Sequence, residues 1–106
     1  MELKIMLNTI KAEDLRKAIQ DEQDVYLLDV REETELQENQ ITEHPLHHIP
    51  LGELPMRHKE LPDDKNIVII CRSGNRSGQA CHYLMSQGYK VTNLDGGMLA
   101  WTESAQ

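Results

Sequence analysis

The stretch "NIVIICRSGNRSGQA", residues 66–80, decides the fold. Four consecutive β-branched residues, Ile67 to Ile70, form an apolar run that suits a strand covered on both faces. The run stops at Cys71. Two arginines, two glycines and two serines follow at once. The chain then takes helical spacing from Ser77 to Gln87, with Ala80, Cys81, Leu84 and Met85 on the inward face and Gly88 as the stop. The unit is a strand, a tight loop and a helix, with a thiol set where the strand ends.

Working outward, the same alternation recurs. Ala12, Leu15, Ala18 and Ile19 fall at helical spacing with Glu13 and Asp14 in the first turn, which predicts a helix over 12–20. Val25 to Val30 is a second short apolar run and reads as a buried strand. The charged segment Arg31 to Glu38 reads as a short exposed helix. The next dozen residues read as loop, with a short strand at His47 to Ile49. Leu51 to Glu60 is a further short helix weakened by Pro55. Val91 to Leu94 is a third strand, and Met98 to Glu103 a last helix after the Gly96-Gly97 turn. Strands separated by helical segments imply one α/β domain over 1–106, with a mainly parallel central sheet and helices on both faces. Ligands of such sheets gather beyond the carboxyl ends of the strands, where Cys71 and Asp29 both fall.

Composition narrows the function. A chain of 106 residues is long enough for one domain and buries about 65% of its unfolded surface, so it needs no disulfide or metal to fold. Two cysteines do not make a secreted disulfide framework. The first fifteen residues, MELKIMLNTIKAEDL, lack the apolar core of a leader. No apolar run approaches the roughly 20 residues of a membrane span. These features predict a soluble protein of a reducing cytoplasm. A net charge of −7 argues against nucleic-acid binding. Against that background Arg72 and Arg76 form a local positive site suited to a small anion.

The loop gives the thiol a purpose. Glycines at 74 and 78 allow positive φ angles and close approach of the backbone to a ligand. Successive amides opening a helix form an anion-binding nest, to which the helix dipole adds about half a positive charge. Cys71 is therefore expected to react as a thiolate, with the loop holding an anion against it. Cys81, mid-helix and inward-facing, is read as core.

Four segments in order then resemble a known family: "LLDVREETEL" at 27–36, "IPLGEL" at 49–54, "IVIICRSGNRSGQA" at 67–80 and "NLDGGMLAW" at 93–101. Together they look like a single-domain rhodanese, a sulfurtransferase. The resemblance implies a persulfide mechanism. Cys71 takes a sulfane sulfur from a donor such as thiosulfate and passes it to cyanide or a thiol, which includes a protein thiol. It makes residues 72–76 the loop around the transferred sulfur and Asp29 and Arg31 supports of the site, and it calls for no cofactor. The sequence departs from the family at 37–50, "QENQITEHPLHHIP", where a Gly-His-Ile-x-Gly-Ala stretch is usual. Ile41 stands at the isoleucine; the glycines and the preceding histidine are missing, which leaves acceptor and partner open.

Three other functions compete. Cysteine phosphatases use the same cradle with five residues between cysteine and arginine, whereas four separate Cys71 from Arg76. Metal binding through His44, His47 and His48 lacks a cysteine or acidic partner at recognised spacing, and Pro45 interrupts the set. An inactive docking module has no need of Cys71, but a persulfide carrier does.

Overall fold

The computed structural model describes residues 8–105; the first seven of the fifteen residues read as lacking a leader's apolar core lie outside them. In chain order the elements are Thr9–Ile10 (β1), Ala12–Gln20 (α1), Tyr26–Asp29 (β2), Glu33–Glu38 (α2), Leu46–His48 (β3), Leu54–Arg57 (α3), Asn66–Ile70 (β4), Asn75–Ser86 (α4), Lys90–Leu94 (β5) and Gly97–Ser104 (α5). The strands form one parallel sheet in the order β1-β5-β4-β2-β3.

The apolar runs are long because both faces of the central strands are covered. Leu28, Ile67 and Ile69 point to one side, where they meet Leu54 of α3 and Ala80, Cys81 and Leu84 of α4. Their neighbours Leu27, Val68 and Ile70 point to the other, against Ala12 and Leu15 of α1 and Met98 and Trp101 of α5. Alternation along a strand thus builds two cores from one run. Ile67, Ile69, Ile70 and Leu84 are wholly buried, each contributing about 1.5–3 kcal/mol of transfer free energy.

This topology places the crevice. After β2 the chain turns outward to β3, and after β4 it turns the other way to β5. The loops leaving β2 and β4 therefore diverge, opening a space beyond their carboxyl ends. Cys71 follows β4 there, and Arg31 follows β2.

Three local readings change. β1 has only two residues, too few for any periodicity to register, and pairs at the edge with Asn93 and Leu94 of β5. The helix expected over 51–60 is split into a 3-10 turn, the four-residue α3 and another 3-10 turn. Gly78 lies inside α4 without a positive φ, and a Cβ there would meet nothing within 4 Å. Its backbone freedom is not used by the fold, so Gly78→Ala is expected to raise stability by about 0.5–1 kcal/mol through the unfolded-state entropy. Urea denaturation of the two proteins measures it; a loss of stability would mean that the space beside Gly78 is needed.

Candidate active site

Cys71 is 1% exposed, so its sulfur sits at the floor of the loop and not on the surface. Gly74 takes a φ of +107°, a conformation that L side chains rarely adopt, and so turns the chain into α4. That turn aims the Gly74 N–H at Cys71 Sγ, 2.9 Å away. The first-turn amides of α4, at Asn75, Arg76 and Ser77, have no acceptor within the helix. The side chains of Ser73 and Asn75 are exposed; these residues line the loop through their backbone.

Ser77 and Asn93 are part of the site although the sequence reading passed over them. Ser77 is fully buried, with Oγ 3.2 Å from Cys71 Sγ and 3.1 Å from the Gly74 carbonyl. It also donates to Asn93 Oδ1, while Asn93 Nδ2 donates to the Gly74 carbonyl at 3.4 Å. A serine at the third helical position and a polar residue facing inward from a buried strand are the signals that point to them.

A second wall comes from α5. The Met98 N–H donates to the Cys71 carbonyl at 2.8 Å and the Leu99 N–H to the Arg72 carbonyl at 3.1 Å. The loop's carbonyls thus satisfy amides at the start of α5 and the two segments fix each other. Gly97, with a φ of +56°, permits this contact: a Cβ there would lie 2.7 Å from the Arg72 carbonyl group.

The third wall is α2, held by Arg31. The Asp29–Arg31 pair is buried and bidentate, with Arg31 Nε 3.0 and 3.1 Å from the two carboxylate oxygens and Nη2 at 2.9 Å. Arg31 also donates to the carbonyls of Glu35 and Asn39 and to Asn39 Oδ1, at 3.3, 2.9 and 3.3 Å. His48 Nε2 donates to the Arg31 carbonyl at 2.6 Å. One guanidinium therefore ties the end of β2 to the C-terminal half of α2.

That anchoring delivers Glu35 to the cysteine loop. Both its oxygens accept from Arg76, at 2.6 and 2.7 Å. Arg76 was expected to hold an anionic ligand; its two donors face a carboxylate of the protein itself. These hydrogen bonds hold the Glu35 carboxyl down at about 2 from its ordinary 4.5. A carboxyl lowered on folding contributes stability that is complete above the unfolded value and is lost as pH falls through the folded one. Glu35 is therefore expected to stay ionised in folded protein at about pH 3.5, where a free carboxyl is mostly protonated. Side-chain carboxyl NMR shifts follow this titration, and an ordinary midpoint near 4.5 would mean that the pair does not form.

Arg72 is different. It is exposed and, among the described residues, has no carboxylate in ion-pair range. It borders a cleft of about 590 Å³ together with Arg31, Glu35, Glu38, Asn39, Met98 and Leu99. Cys81 takes no part: it is wholly buried in the α4 core, and burial, then the nearby Cys71, pushes its thiol up to about 12. The three histidines border one cavity but bond to separate partners. His44 contacts its neighbour's carbonyl, His47 bridges the Tyr26 hydroxyl and Glu60, and His48 serves Arg31. Ile41, from the divergent segment, is 1% exposed and fills the α1–α5 core.

A buried cysteine in an amide-lined loop, at the switch point of a parallel sheet, defines a class of α/β domains that hold a thiol at a strand end. Within that class the chain belongs to the rhodanese-like domain family, whose sequence profile matches residues 11–104. It is 44% identical over 97 residues to a sulfurtransferase of Allochromatium vinosum, covering 91% of this chain and 89% of that protein. A putative sulfurtransferase of Bacillus subtilis, YtwF, is 42% identical over 95 residues, with 90% of each chain covered. Among solved structures, a rhodanese-related protein from Thermoplasma volcanium superimposes with a TM-score of 0.81 at 35% identity, covering 91% of both chains. The resemblance drawn from four sequence segments is thus upheld.

Proposed function

We propose that this protein is a sulfurtransferase that carries the transferred sulfur as a persulfide on Cys71. The observation that supports it most is the Gly74 N–H directed at Cys71 Sγ within a loop of free helix-start amides. In the first half-reaction the Cys71 thiolate attacks the outer, sulfane sulfur of the donor. A new sulfur–sulfur bond forms, the donor's own bond to that sulfur breaks, and its electron pair leaves with the remainder, as sulfite when the donor is thiosulfate. The terminal persulfide sulfur carries the negative charge, where amides of residues 73–76 stabilise it without reorganising. In the second half-reaction cyanide or a thiolate attacks the outer sulfur, and Cys71 departs as thiolate. Arg72 is the side chain that meets the anionic part of the donor at the cleft. Ser77 and Asn93 hold the loop in shape, and Asp29 and Arg31 hold the wall opposite. A sulfur atom is smaller than a phosphoryl group with three peripheral oxygens, and the four-residue spacing from Cys71 to Arg76 suits the smaller guest.

Incubation with a sulfane-sulfur donor is expected to leave the protein one sulfur atom heavier, on the peptide containing Cys71, and cyanide is expected to remove it. Intact and peptide mass spectra read both steps. No adduct from thiosulfate or from an organic thiosulfonate would overturn the proposal. An adduct that passes only to a protein thiol, without turnover on cyanide or small thiols, would make the protein a carrier.

A further inference from the structure

Arg31 and Arg72 border the cleft beside the cysteine loop, and Arg76 reaches it through its contact with Glu35; two of these three guanidinium groups are already matched. Arg31 is spent on Asp29, and Arg76 on Glu35 in a two-point contact at 2.6 and 2.7 Å. Glu35 cannot swing away easily. Its backbone carbonyl accepts from Arg31, and its Oε1 also accepts the Glu32 N–H at 3.0 Å in a reciprocal cap of α2. Arg72 is left as the cation of the cleft. The cleft also has an apolar side: Leu99 is 53% exposed next to buried Met98. A second carboxylate, Glu38, lies on the rim, and the whole protein carries −7.

A dianion and a monoanion experience these charges differently. Each added unit of ligand charge meets Glu35 as a repulsion that Arg76 alone would have turned into attraction. We infer, on the sulfurtransferase reading above, that Glu35 is the donor-specificity residue. By holding and neutralising Arg76 it tunes the site to a monoanionic sulfane-sulfur donor bearing an organic group, an organic thiosulfonate or persulfide, over a dianion such as thiosulfate. Arg72 takes the single charge and Leu99 the organic group. The chemistry is unchanged: for a thiosulfonate, Cys71 thiolate bonds to the outer sulfur and the sulfinate leaves with the electron pair.

The test is a charge cycle read as a ratio. kcat/KM is measured with thiosulfate and with benzenethiosulfonate, cyanide being the acceptor in both, for the wild type, Glu35→Gln, Arg76→Gln and the double variant. Glu35→Gln keeps the shape of the side chain and releases the charge of Arg76, so the thiosulfate-to-benzenethiosulfonate ratio is expected to rise about three- to tenfold. That gain should shrink as salt is added. Arg76→Gln leaves Glu35 unmatched and is expected to lower the ratio by a similar factor. The double variant restores neutrality and is expected to return to within about twofold of wild type. A merely structural role for the pair would reduce both donors in parallel in every variant, and a ratio unmoved by Glu35→Gln overturns the inference while leaving the sulfurtransferase reading intact. Failure of the wild type to take sulfur from either donor removes both.

Discussion

Cys71→Ser is expected to lose sulfur transfer by a factor on the order of 10³ or more, with both small donors and every acceptor. A serine hydroxyl is not ionised at neutral pH, and an oxygen in its place cannot hold a sulfane sulfur as a persulfide. The surroundings should tolerate the change: Sγ is contacted by the Gly74 N–H and the Ser77 hydroxyl, both of which an oxygen can also engage. Lost activity would thus not be lost folding, which circular dichroism of the variant checks. Cys81→Ser is the matched control. Its sulfur is sealed in the α4 core with the thiol held near 12, so the variant should keep most activity and lose about 1–3 kcal/mol of stability from a hydroxyl placed among apolar side chains. Equal loss of activity in both variants would mean that the two cysteines act together, and would remove the assignment of Cys71 as sole nucleophile.

Arg31→Ala is expected to cost about 3–5 kcal/mol of folding stability, the usual penalty for leaving one member of a buried ion pair alone. Asp29 is 0% exposed and Arg31 2%, so water cannot replace the missing partner. The substitution also strips the donors from the carbonyls of Glu35 and Asn39, which frees α2. Glu35 should then lose its fixed position against Arg76, so activity should fall with stability. Asp29→Asn retains the size of the side chain but removes the charge, leaving the guanidinium buried without its counter-ion, and is expected to lose a similar amount. Replacing both residues by apolar groups of like volume should cost less stability than either single change, since no charge is left stranded. Chemical denaturation of the single and paired variants measures this; single variants as stable as wild type would mean that the pair is solvated.

The extent to which the sequence was legible follows from the range of the forces involved. Ile67 to Ile70 read as a strand because a residue's burial on both faces leaves its mark in the residues themselves. The helix over 12–20 and the stop at Gly88 were readable for the same reason, since spacing and caps are local. Cys71 stood out because a thiol, two glycines and two arginines lay within eight consecutive positions. β1 did not, because two residues at an edge have no period. Gly78 was misread, since a glycine in a loop-like sequence looks the same whether it ends a turn or begins a helix.

The sequence by itself therefore determined the α/β alternation, the buried strands, the cysteine at the strand end and the loop built around it. Tertiary structure alone decided what faces that loop. Glu35 lies 41 positions from Arg76 and Asn93 lies 16 from Ser77, and neither carries a local signal of its partner. Those contacts exist because the parallel sheet sets β2, β4 and β5 side by side, so that the segments leaving their carboxyl ends line one crevice. Arg76 looked like a ligand-binding cation when only its neighbours in the chain were in view. A charge acts on whatever lies nearest in space, and in the folded protein that is Glu35.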